Sequence, residues 1–189
     1  MIKQVPASEK NYQKGRSGYG IQAIVIHSMA GTLIGTDTFF QQPRPDKPTS
    51  AHYAIGKNGE THQYVQDRDA AYHAGIVSNP TWDLLAKGVN PNWISVGIEN
   101  EGYPNQGWTE PQMVALTRLM KSICATYNIA MDRDHIISHN EITDYKENMV
   151  SWCEEAVRRL NPQAELSRLQ AILVTLQKKL AYFLGKNNS

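Results

Sequence analysis

The stretch Ala23-Ile24-Val25-Ile26-His27 is a short run of apolar, mostly β-branched residues that ends in a histidine. Such a run, followed by turn-forming residues, is typical of a buried central strand. Two further runs share this form: Ile94-Ser95-Val96-Gly97-Ile98-Glu99 ends in a glutamate, and His135-Ile136-Ile137-Ser138-His139 ends in a histidine. Because strand ends meet at the rim of a sheet, the three runs predict a site where these polar side chains come together.

The segments around these strands favour turns and helices. Apolar residues recur at helical spacing from Thr109 to Tyr127, with Thr109 as the N-cap and Pro111 in the first turn. Asn58-Gly59 predicts a hairpin turn, and residues 151–160 predict another helix. Strands that alternate with helices indicate an α/β domain with a mixed central β-sheet flanked by helices.

Composition limits the classes of protein that fit. The 189 residues are 41% hydrophobic and 20% charged. This predicts one globular domain over residues 1–160, with its core at about 20–160, and a tail over 161–189. The formal net charge of +1 offers no general attraction for nucleic acid. Two cysteines outside any Cys-x-x-Cys pair exclude a disulfide scaffold and a zinc finger.

The tail predicts an amphipathic C-terminal helix with a narrow apolar stripe. Its apolar residues form two interleaved seven-residue series, namely Leu166, Leu173, Leu180 and Leu169, Leu176, Phe183. A stripe of about 2.5 heptads is short for an independent coiled coil, so we expect it to pack on the domain or on a second copy of the tail. Contact with a membrane surface is the alternative, because aromatic residues stand beside Lys178, Lys179 and Lys186.

Four residues are candidates for chemistry. Neutral imidazole is a common zinc ligand, so His27 and His139 are candidate ligands, although each alone could be a hydrogen-bonded rim residue. Partial burial of Glu99 at a strand end would raise its pKa and suit it to proton transfer; a structural ion pair is the alternative. Lys146 could stabilise an oxyanion or simply be a solvated charge.

Six ordered segments resemble the zinc-dependent N-acetylmuramoyl-L-alanine amidases. This family is related to the peptidoglycan recognition proteins and includes many phage endolysins. The segments lie within about residues 20–160 and are His27 after its strand, Ser50-Ala51-His52-Tyr53, Lys57-Asn58-Gly59, Ala71-Tyr72-His73-Ala74-Gly75, Ser95 to Gly102, and Ser138-His139-Asn140-Glu141-Ile142.

The resemblance implies a substrate groove with one catalytic Zn²⁺ that acts on bacterial peptidoglycan. By position, His27 and His139 match two zinc ligands, and Glu99 matches the acid that acts on the zinc-bound water. Lys146 matches the basic residue two positions before the third ligand. The groove would be lined by His52, Tyr53 and His73. The implied reaction is hydrolysis of the amide between N-acetylmuramic acid and the first L-alanine of the stem peptide.

The third ligand position departs from the family pattern. The family has Asp or Cys there, whereas this chain has Asn148, whose neutral amide oxygen is a weaker zinc ligand. Glu147 and Cys153 are the alternative ligands. Two functions follow from this departure, a peptidoglycan amidase and a non-catalytic peptidoglycan-binding relative. The presence of Glu99 and Lys146 favours the enzyme, and Asn148 favours the binder.

The sequence also suggests where the protein acts. The first residues lack the basic and then apolar layout of a signal peptide, and no stretch approaches the roughly 20 apolar residues of a membrane span. Together with the resemblance, this predicts a phage or prophage lysis enzyme made in the host cytoplasm. Such an enzyme would reach the cell wall through a holin.

Overall fold

A six-stranded mixed sheet forms the centre of the molecule. The computed structural model describes residues 1–186, except the side chains of 164–165, 167–169 and 181–186. In spatial order the strands are β1 (Ile2–Gln4), β5 (Thr61–Gln63), β4 (Tyr53–Ile55), β7 (Ser95–Asn100), β3 (Ala23–Ser28) and β8 (Ile136–Ser138). Only β4 and β5 pair antiparallel; every other pair of neighbours in this sheet is parallel. A second, two-stranded sheet pairs β2 (Tyr12–Gln13) with β6 (Ala70–Ala71).

The strand register sorts side chains onto two faces of the sheet. His27 lies opposite Glu99, and Glu99 lies opposite Ala54. Because side chains alternate along a strand, these three residues share one face, and their neighbours share the other. The opposite face therefore carries Ile26, Ile98 and Tyr53, because Ile98 pairs with Ile26 on one side and with Tyr53 on the other.

Helices α3 (Glu110–Tyr127) and α4 (Val150–Leu160) cover the face that carries Tyr53. The N-terminus of α3 is closed by a capping box, in which the Thr109 side chain accepts from Gln112 N–H while the Gln112 side chain bonds the Thr109 backbone. The buried side chains of α3 pack on the central strands, and they include Met113, Leu116, Leu119, Met120 and Ile123.

The other face is covered by shorter elements, which leaves room for a site. Helix α1 (Leu33–Gln41) packs through Leu33 and Phe40 around Ala54, and α2 (Pro91–Ile94) packs through Ile94 beside Val25. A mixed sheet with helices on both faces confirms the predicted α/β fold class.

Helix α5 (Pro162–Lys186) follows the domain, and the apolar side chains described on it are exposed. Every side chain from 170 to 180 is exposed, including Leu173 and Leu176 at 56% and Leu180 at 60%. This part of the stripe does not pack on the domain, contrary to one of the two expectations for the tail. Leu169 and Phe183 fall among the side chains that are not described. Within residues 1–186, no helix is long and apolar enough to cross a membrane.

Candidate active site

The carboxyl ends of β3, β7 and β8 meet at a cavity of about 120 Å³. His27 is the penultimate residue of β3, Glu99 is the penultimate residue of β7, and His139 directly follows β8. The parallel pairing of these strands brings three residues distant in sequence to one edge. The cavity is lined by His27, Ser28, Thr49, Ser50, His73, Glu99, His139, Lys146, Glu147 and Met149.

The two strand-end histidines face each other through their ring nitrogens. The distance from His27 Nδ1 to His139 Nδ1 is 2.9 Å. Burial holds the pKa of His27 well below its ordinary value and, as the main cause, lowers the pKa of His139 to about 4. Both rings are therefore neutral at pH 7, the form in which imidazole binds metal ions.

The orientation of His139 leaves one nitrogen free for a ligand. Its Nε2 atom lies 2.9 Å from the carbonyl oxygen of Ala74, which can only accept a hydrogen bond. Nε2 therefore carries the proton, and Nδ1 keeps its lone pair toward His27. Two neutral imidazoles converging through nitrogen fit a zinc ion as two of its ligands. Among the side chains that the structure describes, however, no group of three or more His, Cys, Asp or Glu is arranged to hold a metal ion.

Glu99 places a carboxyl group at the edge of the same cavity. Its Oε2 atom is buried and has no hydrogen-bond partner among the described residues. Burial raises the pKa of Glu99 to about 7, and the positive charge of Lys146 opposes this rise. A carboxyl group with a pKa near neutrality can both accept and return a proton.

The loop before α4 brings one cation and one further carboxylate to the cavity. Lys146 and Glu147 are both exposed and both line it. Among the described residues, Lys146 forms no salt bridge. Its Nζ atom lies 5.8 Å from the Tyr145 ring centroid. The negative charge of Glu147 acts on His139, whose pKa it raises slightly. Glu147 is thus close enough to the histidine pair for its charge to change the pKa of His139.

The other two candidates for the third ligand lie elsewhere. Asn148 is exposed and does not line the cavity; its Oδ1 atom accepts a hydrogen bond from Val150 N–H at 2.9 Å, at the start of α4. Cys153 is completely buried among the apolar residues on the Tyr53 face. Burial raises the pKa of its thiol to about 12, which disfavours the thiolate that zinc requires. The structure brings Glu147, and neither of the other two, to the cavity.

Two of the three predicted groove residues, His52 and Tyr53, do not line the cavity. Tyr53 lies on the face opposite His27 and donates to Asp67 Oδ1 at 2.8 Å, so it does not line the cavity. His52 is fully buried; its Nδ1 accepts from Gly97 N–H, and its Nε2 lies 2.7 Å from Arg16 Nη2. His73 alone among the three lines the cavity.

A second cavity, of about 450 Å³, extends the site along α1. It shares Ser28, Thr49, Glu99, Lys146 and Glu147 with the first cavity, so the two are continuous. Its remaining wall comes from the loop after β3 and from α1, with Met29, Ala30, Gly31, Thr32, Gly35, Thr36, Phe39 and Phe40. Sequence reasoning missed this wall, because its small and apolar residues carry no motif of their own.

The fold and the site define a mixed α/β domain with two histidines and one glutamate at the carboxyl edge of its sheet. A family model described as N-acetylmuramoyl-L-alanine amidase matches residues 17–155. The chain belongs to this amidase family, which confirms the resemblance seen in the sequence.

Two curated relatives support this membership. The chain is 32% identical over 123 residues to N-acetylmuramoyl-L-alanine amidase A of Achromobacter lyticus, covering 64% of this chain and 59% of that protein. It is 36% identical over 94 residues to the 1,6-anhydro-N-acetylmuramyl-L-alanine amidase AmpD of Haemophilus influenzae, covering 50% of this chain and 47% of that protein. The matches therefore span only part of the length of either relative.

Solved structures share the fold. A selenomethionine AmpD derivative superposes with a TM-score of 0.70 at 22% identity, covering 84% of this chain and 93% of that chain. A mutant endolysin from Bacillus subtilis superposes with a TM-score of 0.63 at 17% identity, covering 85% of this chain and 98% of that chain. At these identities the likeness concerns the fold alone.

Proposed function

We propose that the protein is a zinc-dependent peptidoglycan hydrolase that cleaves the amide between N-acetylmuramic acid and L-alanine of the stem peptide. One observation carries the proposal: two neutral histidines converge through Nδ1 beside the buried, unpartnered carboxyl oxygen of Glu99. Binding of peptidoglycan alone has no need for this arrangement. From the family resemblance we also propose action on the wall after holin-dependent release from a host cytoplasm.

The zinc site is proposed at the histidine pair. His27 and His139 would hold Zn²⁺ through their Nδ1 atoms, which already face each other. Bound zinc would act as a Lewis acid on the amide carbonyl and lower the pKa of a coordinated water. The third ligand is proposed among Glu147, Asn148 and Cys153. Glu147 already lines the cavity, whereas Asn148 would have to release Val150 N–H and Cys153 would have to leave the core.

The protein side chains supply the proton transfers and the charge stabilisation. Glu99 accepts a proton from the attacking water and returns it to the leaving amine, for which a pKa of about 7 is suited. The Lys146 ammonium group lines the cavity and stabilises negative charge that develops on the carbonyl oxygen. The continuous cavity along α1 gives the substrate room to extend away from these groups.

Release of soluble fragments from dye-labelled cell walls tests the proposed reaction. We expect release by the zinc-loaded protein, loss of release after chelation, and recovery when zinc is added back, because the proposed reaction uses a zinc-activated water. Walls that sediment with the protein but release nothing in the presence of zinc would support the alternative, a non-catalytic peptidoglycan-binding protein. Product analysis should identify L-alanine as the new amino terminus.

We also propose that α5 associates with a second copy of itself. An isolated helix gains little stability in water, and Leu173, Leu176 and Leu180 are exposed at coiled-coil spacing. We expect light scattering to give twice the chain mass of 21.3 kDa and a Leu173→Glu/Leu180→Glu variant to be monomeric. Gln177→Glu, at an exposed position outside the stripe, is the matched control. A monomeric parent chain would contradict self-association, and binding to anionic vesicles would then favour membrane contact.

A further inference from the structure

His73 lies next to the histidine pair, and most of its surface is buried. It follows β6 in the chain and is 6% exposed. Its Nδ1 atom lies 3.1 Å from His27 Nε2, and its Nε2 atom lies 3.3 Å from Ser95 Oγ. The ring therefore connects a proposed zinc ligand to the start of β7.

The hydrogen bond that the Ser95 hydroxyl donates determines which atoms donate and which accept in the contacts of His73. The Ser95 hydroxyl donates its single hydrogen to the carbonyl oxygen of Pro91 at 2.6 Å. Ser95 Oγ can then only accept from His73, so Nε2 of His73 carries a proton. The ring is 6% exposed, and its two nitrogens contact His27 and Ser95 rather than a carboxylate that would stabilise a second proton, so the ring is neutral with one proton. Nδ1 of His73 is consequently a hydrogen-bond acceptor.

The same reasoning extends to His27. Because His73 Nδ1 accepts, His27 Nε2 must donate, and the neutral His27 ring keeps its lone pair on Nδ1. His139 Nδ1 also carries a lone pair, since its Nε2–H donates to Ala74 O. No proton then lies between the two Nδ1 atoms, which are 2.9 Å apart, and a shared cation would satisfy both lone pairs.

We propose that His73 is a positioning residue that fixes His27 in the Nε2–H tautomer and so presents His27 Nδ1 to the metal. This proposal rests on the proposed zinc-dependent function for its purpose. The histidine tautomers themselves can be measured in the metal-free protein.

The segment His73-Ala74 is itself held rigidly, as this role requires. Its two backbone N–H groups donate to Asn92 Oδ1 at 3.0 and 2.9 Å. The His73 ring packs on Gly97, where an added Cβ would lie 2.4 Å from His73 Cγ. Thus the His73 side chain orients His27, the adjacent Ala74 carbonyl orients His139, and Asn92 ties both to α2. Outer hydrogen bonds of this kind set the orientation of metal-binding histidines.

The test compares His73→Leu with His73→Asn, two side chains that branch in the same way at Cγ. Asn can place an acceptor oxygen near the position of Nδ1, and Leu cannot. We expect ¹⁵N spectra of imidazole groups to show His27 protonated on Nε2 in the metal-free parent and in the Asn variant. In the Leu variant we expect an increased population with the proton on Nδ1. Zinc affinity, measured by competition with a chelating dye, should fall about 10- to 100-fold in the Leu variant and be largely retained in the Asn variant.

Three outcomes would overturn the proposal. The first is that His27 carries its proton on Nδ1 in the metal-free parent. The second is that His27 keeps the same tautomer in folded His73→Leu, and the third is that both variants lose zinc affinity equally. Circular dichroism and thermal unfolding establish whether each variant folds; if neither does, the spectrum of the parent decides. If the parent binds no zinc yet shows the expected tautomer, the proposed function fails while the positioning of His27 by His73 stands.

Discussion

Replacing Glu99 with Gln should lower the turnover number for the proposed amide hydrolysis by about 10²- to 10⁴-fold, the usual contribution of a positioned proton-transfer group. Gln has nearly the same shape but cannot accept a proton from water. The Oε2 atom of Glu99 is buried and has no hydrogen-bond partner among the described residues, so it is free to accept a proton. Initial rates of release from labelled walls, with zinc saturating, measure the effect. Glu154→Gln, an exposed change on α4, is the matched control.

The dependence of the turnover number on pH shows whether Glu99→Gln loses activity because it lacks the base or because it is misfolded. Because burial raises the pKa of Glu99 to about 7, the turnover number of the parent should rise as the pH rises through 7, where the active carboxylate form appears. Glu99→Gln should lack this limb. A variant that keeps most of the parent activity, with the limb intact, would exclude Glu99 as the base.

The pH dependence of folding stability tests the raised pKa of Glu99 independently of activity. Its pKa is 4.5 when unperturbed and about 7 in the folded protein, so the folded state binds the proton more tightly. The stabilisation from this proton is complete below pH 4.5 and is lost as the pH rises through 7. The free energy of unfolding of the parent should therefore decrease relative to that of Glu99→Gln across this interval. Denaturant titrations at several pH values measure the difference.

The central site could be predicted from the sequence because its geometry follows from local pattern. Each of three apolar runs predicts a strand, and a polar residue at each strand end predicts a position at the sheet edge. Parallel pairing then brings His27, Glu99 and His139 together without further information. The helical pattern from Thr109 to Tyr127 was equally local, and α3 begins and ends within one residue of it.

Side-chain direction could not be predicted in the same way. His52 and Tyr53 are adjacent in a family motif, but alternation along the strand sends them to opposite faces of the sheet. His52 is then enclosed by Arg16 and Gly97, which come from distant segments. Asn148 has the position of a ligand in the chain, yet its amide oxygen bonds Val150 N–H at the start of α4. Contacts between distant segments, and competition for hydrogen bonds within a loop, decide these placements.

Replacing His139 with Ala should remove most of the zinc affinity of the protein. The parent is expected to bind one zinc ion, and loss of a direct ligand should weaken binding by more than the roughly 100-fold upper range for outer hydrogen-bond partners. Elemental analysis of zinc-saturated, desalted protein gives the stoichiometry, and competition with a chelating dye gives the affinity. Lys146→Ala is the comparison, because it removes a cavity side chain that cannot bind zinc as an ammonium ion.

The same measurements on Glu147→Ala, Asn148→Ala and Cys153→Ser identify the third ligand. Glu147 is the only one of the three that lines the cavity, so we expect the largest loss of zinc affinity for Glu147→Ala. Asn148→Ala should leave affinity nearly unchanged but reduce stability by about 1 kcal/mol, the usual net contribution of one hydrogen bond, because Val150 N–H loses its side-chain acceptor. The opposite ranking would mean that zinc binding reorders this loop and recruits Asn148. A parent protein that binds no zinc would refute the zinc hydrolase and leave peptidoglycan binding as the function.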